Sequence, residues 1–171
     1  IAKPFLGLSH DAEVEARFES LASYPEGTLG RELHDHYEEH GFAMPGSADG
    51  LPEKFIFHDI GHVLAGYDVD PQGEIQQAAF QAGFMRNDGF SFLLFGVMQF
   101  HLGLRLTPIA RAESGFFDVE KVIRAAARGA ACKVDLSDHF DFWAHAHEPL
   151  DELRRRWCVP PLESEAPLSA A

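Results

Sequence analysis

The chain is poor in cysteine, poor in positive charge and without a long apolar run. Two cysteines in 171 residues, Cys132 and Cys158, exclude a disulfide framework and a cysteine-based zinc site, and fit a reducing, cytoplasmic setting. Only 14 Lys and Arg stand against 27 Asp and Glu, a formal charge of −13. That balance excludes a broad nucleic-acid surface, which needs clustered cations to meet phosphates. It also argues against electrostatic adhesion to anionic lipid. The basic run Arg154-Arg155-Arg156 reads as a solvated helix face. The most apolar stretch, 90–104, is interrupted by Ser91, Gln99 and His101 and falls short of the roughly 20 residues a membrane span needs. No signal peptide is legible, and a start at Ile1 leaves open a targeting segment ahead of it.

What is present is apolar bulk. Hydrophobic residues make up 46% of the chain, and 15 phenylalanines outnumber 3 tyrosines. The length is that of one domain able to bury its own core. The expected class is all-α: a single-domain bundle of about six to eight helices over 1–161, with 162–171 a disordered Pro, Glu, Ser and Ala tail.

Residues 1–9 form a loose arm and 11–22 a helix with Val14, Phe18, Leu21 and Ala22 on one face. Thr28 caps a second helix that runs to His40 and stops at Gly41. Pro52 opens a third helix from about Leu51 to Ala65, with Gly66 as its C-cap. Asp70 and Pro71 start a fourth, ending near 87–89. A fifth covers Phe90 to about Leu104 and is so apolar that it must be buried, lie at an oligomer interface such as a homodimer's, or face lipid. A loop with Pro108 and Gly115 follows. Asp118 caps a sixth helix to about Ala131, and 135–157 holds one or two more, broken at Pro149.

The informative segment is His58-Asp59-Ile60-Gly61-His62, followed by Glu74. Residues four apart on a helix project from one face, one turn apart, the way a helix gives two nitrogens to one metal. The pair alone is weak, since ten histidines in this length give about 0.6 chance pairs at that spacing. His36 and His40 form such a second pair, read as exposed and structural. Glu74 strengthens the first. In a hairpin broken between Gly66 and Asp70, His62 lies four residues before the break and Glu74 four after it, at one height. His58 lies a turn deeper, opposite the small Ala78. The spacing predicts a two-His, one-carboxylate site for one divalent metal, with open positions for water or substrate. Asp59 is placed near the metal as a fourth ligand, as an acceptor orienting an imidazole, or as a catalytic base.

Gln77 and Gln81 share the face of Glu74 and are candidates to bind a polar ligand, or else half-exposed polar positions. Arg31 is a candidate for an anionic head group, against an ordinary surface ion pair. His101 reads as a satisfied core histidine, and His139, His145 and His147 as surface.

The run His58-Asp59-x-x-His62, then eleven residues and Glu74, resembles the motif of the coenzyme Q biosynthesis "Coq four" family. Tyr24-Pro25-Glu26-Gly27-Thr28-Leu29-Gly30-Arg31 is similar to its upstream segment, and Asp151-Glu152-Leu153-Arg154 through Pro160-Pro161 to its C-terminal helix and di-proline ending. The similarity spans roughly 18–161, and the short length suggests a bacterial-type member. The resemblance implies an all-α fold and one divalent metal, zinc or iron, on His58, Asp59, His62 and Glu74. It implies an apolar site for a polyprenyl tail, with which the Phe-rich segment Phe80, Phe84, Phe90, Phe92, Phe95 and Phe100 is compatible. The expected substrate is a prenylated quinone precursor. The expected activity is removal of the carboxyl group at ring carbon one with hydroxylation there. Other quinone-biosynthesis proteins are expected partners, at the inner membrane face. Two rival readings remain: a non-catalytic lipid-binding scaffold, and an HD-type phosphohydrolase built on His58-Asp59. The latter needs a histidine such as His34, His36 or His40 and an aspartate such as Asp135, Asp138 or Asp141.

Overall fold

The computed structural model describes residues 10–107 and 110–162. The expected N-terminal arm, Pro108 and the tail beyond residue 162 lie outside the described residues. Among those described there are eight α-helices and no strand.

Helix α1 (Ala12–Glu19) is capped by Asp11 and runs into a 3-10 turn, Ser20–Ser23. Helix α2 (Leu29–His40) starts at the Thr28 side chain and buries Leu29, Leu33 and Tyr37, one every turn. Pro52 opens only a 3-10 turn, Glu53–Phe55, and helix α3 proper is Phe57–Ala65. Helix α4 (Pro71–Phe84) is capped by Asp70 and stops at Phe84, short of the glycine that was expected to end it. It is the central element, packed on α3, on α5 (Gly89–Phe100) and most extensively on α6 (Val119–Ala131). Two short helices, α7 (Phe142–His145) and α8 (Leu150–Arg156), close the bundle.

Helix α5 is shorter than expected, and of the settings its apolar composition allows it does not show full burial. It ends at Phe100 because His101 leaves helical geometry and Leu102 turns to bridge Ser114. Its inner side buries Gly96, Gln99 and Phe100, whereas Phe90 is 73% exposed and Leu94 and Phe95 also face outward. Gln99 is buried because both ends of its amide are used: it donates to the Ala110 carbonyl at 2.7 Å and accepts from the Leu106 amide at 3.1 Å. His101 is satisfied as expected, though half-buried at the end of α5, by accepting from the Phe117 amide at 3.1 Å.

The chain stays packed up to the expected tail, where the Pro160 carbonyl accepts from Arg128 at 2.8 Å. Of the three histidines read as surface, His139 and His147 are exposed, whereas His145 is half-buried. His145 stacks on Phe140, meets Trp157 edge to face and holds Glu148 at 2.6 Å. Arg156 grips the same carboxylate with both terminal nitrogens, at 2.7 and 2.9 Å. The bonds from Arg156, then His145, lower the Glu148 carboxyl from 4.5 to about 2. A depressed carboxyl stabilises the fold above its unfolded value and loses that contribution as pH falls toward the folded one. Glu148→Gln is therefore expected to cost about 0.5–1 kcal/mol at neutral pH, the scale of a solvent-screened pair. In urea titrations that difference from the parent should shrink as pH drops from 4.5 toward about 2.

Candidate metal centre

The site is a helical hairpin. Gly66 ends α3 in left-handed geometry, φ 76°, which a residue without Cβ adopts freely. Four residues later the Asp70 carboxylate accepts from the Gly73 amide at 2.6 Å and starts α4. Glu74 thus sits in the first turn, where the helix dipole favours a carboxylate. Its Oε2 lies 3.3 Å from His58 Nε2 and its Oε1 3.6 Å from His62 Nε2, and the two Nε2 atoms are 3.2 Å apart. One ligand atom from each residue falls within 4.8 Å of the other two, the single such convergence of three or more among the described residues. His62 is buried, and His58 and Glu74 are partly open to solvent.

The far side of each ring fixes what the near side offers. His62 Nδ1 donates to the Tyr67 carbonyl at 3.0 Å, and a carbonyl only accepts, so Nδ1 carries the proton and Nε2 turns a lone pair inward. His58 Nδ1 pairs with the Gln81 side-chain oxygen at 2.7 Å and is assigned the same tautomer. Gln77 donates to the His58 backbone carbonyl at 3.3 Å. It lies so close to α3 that a Cβ on Gly61 would overlap its amide. Two lone pairs and a carboxylate facing one point repel unless positive charge lies between them. Imidazole and carboxylate are ligands for zinc or iron, so this donor set fits one divalent ion. Burial lowers the affinity of His58 for a proton, but the bond and charge of Glu74 outweigh it and raise the imidazole to about 9. Burial alone would raise Glu74, yet bonds from His58 and His62 hold it well below the usual carboxylate range. A metal arriving here competes with a proton, so uptake releases acid.

Asp59 is not part of this convergence. It is buried beneath the pair, and its carboxylate accepts a hydrogen bond from the Tyr37 hydroxyl of α2. Burial raises its carboxyl, and the charges of His58 and His62 pull the other way. Tyr37 was not singled out from the sequence. Its signal was a tyrosine on the Leu29-Leu33-Tyr37 stripe, since a buried tyrosine needs a partner for its hydroxyl.

Gln77 and Gln81 are fully buried rather than half-exposed, and they support His58. Arg31 is engaged by Asp35, both carboxylate oxygens lying 2.8 Å from its Nε. Phe84 sits in the core with its ring centroid 5.4 Å from that of Phe80. His36 and His40 do pair, 4.7 Å between ring centroids, but both are half-buried, and His36 also stacks 5.8 Å from His62. The aspartates a phosphohydrolase would require are engaged elsewhere. Asp135 accepts from the Arg86 amide and Ser137, Asp141 caps α7, and Asp138 pairs with the exposed His139.

No protein-family description matches the chain, and no curated protein matches it. Among solved structures, the fold is similar to that of a "putative ubiquinone biosynthesis protein" from Nostoc punctiforme PCC 73102. The TM-score is 0.51 at 23% identity, over 83% of this chain and 67% of that one. At that identity the likeness is one of fold alone, an all-α bundle.

Proposed function

We propose that the protein is a metal-dependent component of ubiquinone-type biosynthesis that acts on the head group of a prenylated aromatic acid. One divalent ion, zinc or iron, is held by His58, His62 and Glu74. The observation that carries the reading is the convergence of these three ligand atoms within 4.8 Å, with both imidazoles oriented from behind. Three protein ligands leave positions open for the carboxylate and phenol of the ring. Iron bound there supplies redox chemistry with dioxygen, whereas zinc supplies only Lewis acidity. Asp59 adds a buried negative charge behind the imidazoles and so favours a cation between them. Gln81 and Tyr67 keep the ligand nitrogens aimed.

Apolar side chains beside the site support the prenylated substrate. The Phe92 ring lies 5.8 Å from His58, and on the same helix Phe90, Leu94 and Phe95 face outward. No helix among the described residues is long and apolar enough to cross a membrane. The same outward face favours the second reading, a scaffold that holds a lipid intermediate without turning it over. Apoprotein reloaded with iron and given a short-chain prenylated phenolic acid, dioxygen and a two-electron reductant, which reduces the second oxygen atom to water, separates the two. Release of carbon dioxide with hydroxylation at the same carbon is expected. Binding of the acid without turnover, with iron or zinc present, assigns the scaffold.

A further inference from the structure

The helix that carries both histidines is poorly built for rigidity on its own. Helix α3 has nine residues, and no side chain caps its start. Isolated helices shorter than about 12–15 residues are marginal in water. The last four carbonyls of any helix lack intrahelical partners, and in α3 these belong to His62, Val63, Leu64 and Ala65. The His62 carbonyl accepts from the Gly66 amide at 2.7 Å. Guanidinium groups take the other three. Arg154 of α8 donates from Nη2 to Val63 at 2.9 Å and from Nε to Leu64 at 3.0 Å. Arg128 of α6 donates from Nη2 to Ala65 at 2.9 Å.

Both positive charges lie where the helix dipole is negative. Arg128 reaches the ligand by a second route. Its guanidinium lies 4.9 Å from the centroid of Tyr67, the residue whose carbonyl receives the His62 Nδ1–H. So both arginines hold the turn that follows His62, and Arg128 also lies against the residue that orients its ring.

We propose that Arg128 and Arg154 are positioning residues of the metal centre: they clamp the last turn of α3 and thereby set the direction in which His62 presents Nε2. The inference rests on the metal reading of His58, His62 and Glu74. A lysine cannot reproduce the clamp, because one ammonium does not span two adjacent carbonyls as the planar fork of Arg154 does.

The test is cobalt(II) affinity, measured by chelator competition on the full chain at a temperature where every variant is folded. Arg154→Lys is expected to weaken cobalt about 10- to 100-fold, the scale of losing a partner behind a ligand. Arg128→Lys should weaken it in the same direction. Arg155→Lys is the control, since Arg155 is 76% exposed and 3.8 Å from Glu152, and it should leave affinity unchanged. Amide hydrogen exchange of Gly66 and of the last turn of α3, without metal, should be faster in Arg154→Lys than in the parent. This second readout needs no metal and so stands apart from the affinity measurement. A lower melting temperature with unchanged cobalt affinity would make the arginines merely structural and overturn the proposal. Failure of the parent to take up cobalt would remove the metal reading, and the proposal with it.

Discussion

Replacing His58 by alanine will lower affinity for a divalent ion by more than about 100-fold and leave the helix content intact. The size follows from what is removed. Losing a partner behind a ligand typically costs 10- to 100-fold in metal affinity, and losing the ligand atom itself costs more. The fold tolerates the change because the backbone of α3 does not depend on that imidazole: the His58 carbonyl is held by Gln77, and the ring is partly open to solvent. The penalty is the Gln81 oxygen left without a donor, about 1–3 kcal/mol if water does not reach it. Metal titration beside far-ultraviolet circular dichroism checks both halves. Equal affinity in parent and variant would remove His58 from the ligand set.

The second large effect lies away from the metal, where α4 crosses α6. A Cβ at Gly129 would overlap the Phe80 carbonyl oxygen, and one at Gly83 would overlap the Ala126 carbonyl oxygen. The two glycines face one another's helices, and what they meet is backbone, which cannot rotate aside. Alanine is about 1 kcal/mol better than glycine in a helix interior, so propensity alone predicts that Gly129→Ala stabilises. Overpacking decides the sign: about 3 kcal/mol of net destabilisation is expected. For a chain of this size that is a fall in melting temperature of roughly 6–12 °C. Chemical denaturation reads it directly, and a variant as stable as the parent would mean that the helices are not in backbone contact. Because α4 carries Glu74, Gln77 and Gln81, the displacement should weaken metal binding as well.

The parts of this molecule legible in its sequence are those encoded locally. Thr28, Asp70 and Asp118 announce helix starts, and each caps its helix with its own side chain. The hairpin of the candidate site is legible because its break lies between a C-capping glycine and an Asp-Pro start, which sets His62 opposite Glu74. The start of α3 was misjudged: Pro52 has extended backbone and leads into a 3-10 turn, so the helix begins at Phe57. Helix α5 was drawn too long because its apolar pattern continues past the point where the chain reverses at Gly103, φ 69°. Periodicity offers Gln77 and Gln81 as ligand-binding or half-exposed positions, since glutamine ordinarily faces water or a polar ligand. Helix α4, however, is covered by α3, α5 and α6 and has no solvent stripe for them. Tyr37 beneath Asp59 and the two arginines behind α3 were beyond local reading. Arg128 and Arg154 meet α3 across 63 and about 90 positions of chain, and only the packed bundle brings them together.

The metal content of protein purified without added metal, by elemental analysis with native mass spectrometry, tests the central claim most directly. One divalent ion per chain is expected in the parent and none in the His58→Ala variant. A parent that stays metal-free even after incubation with zinc or iron would contradict it.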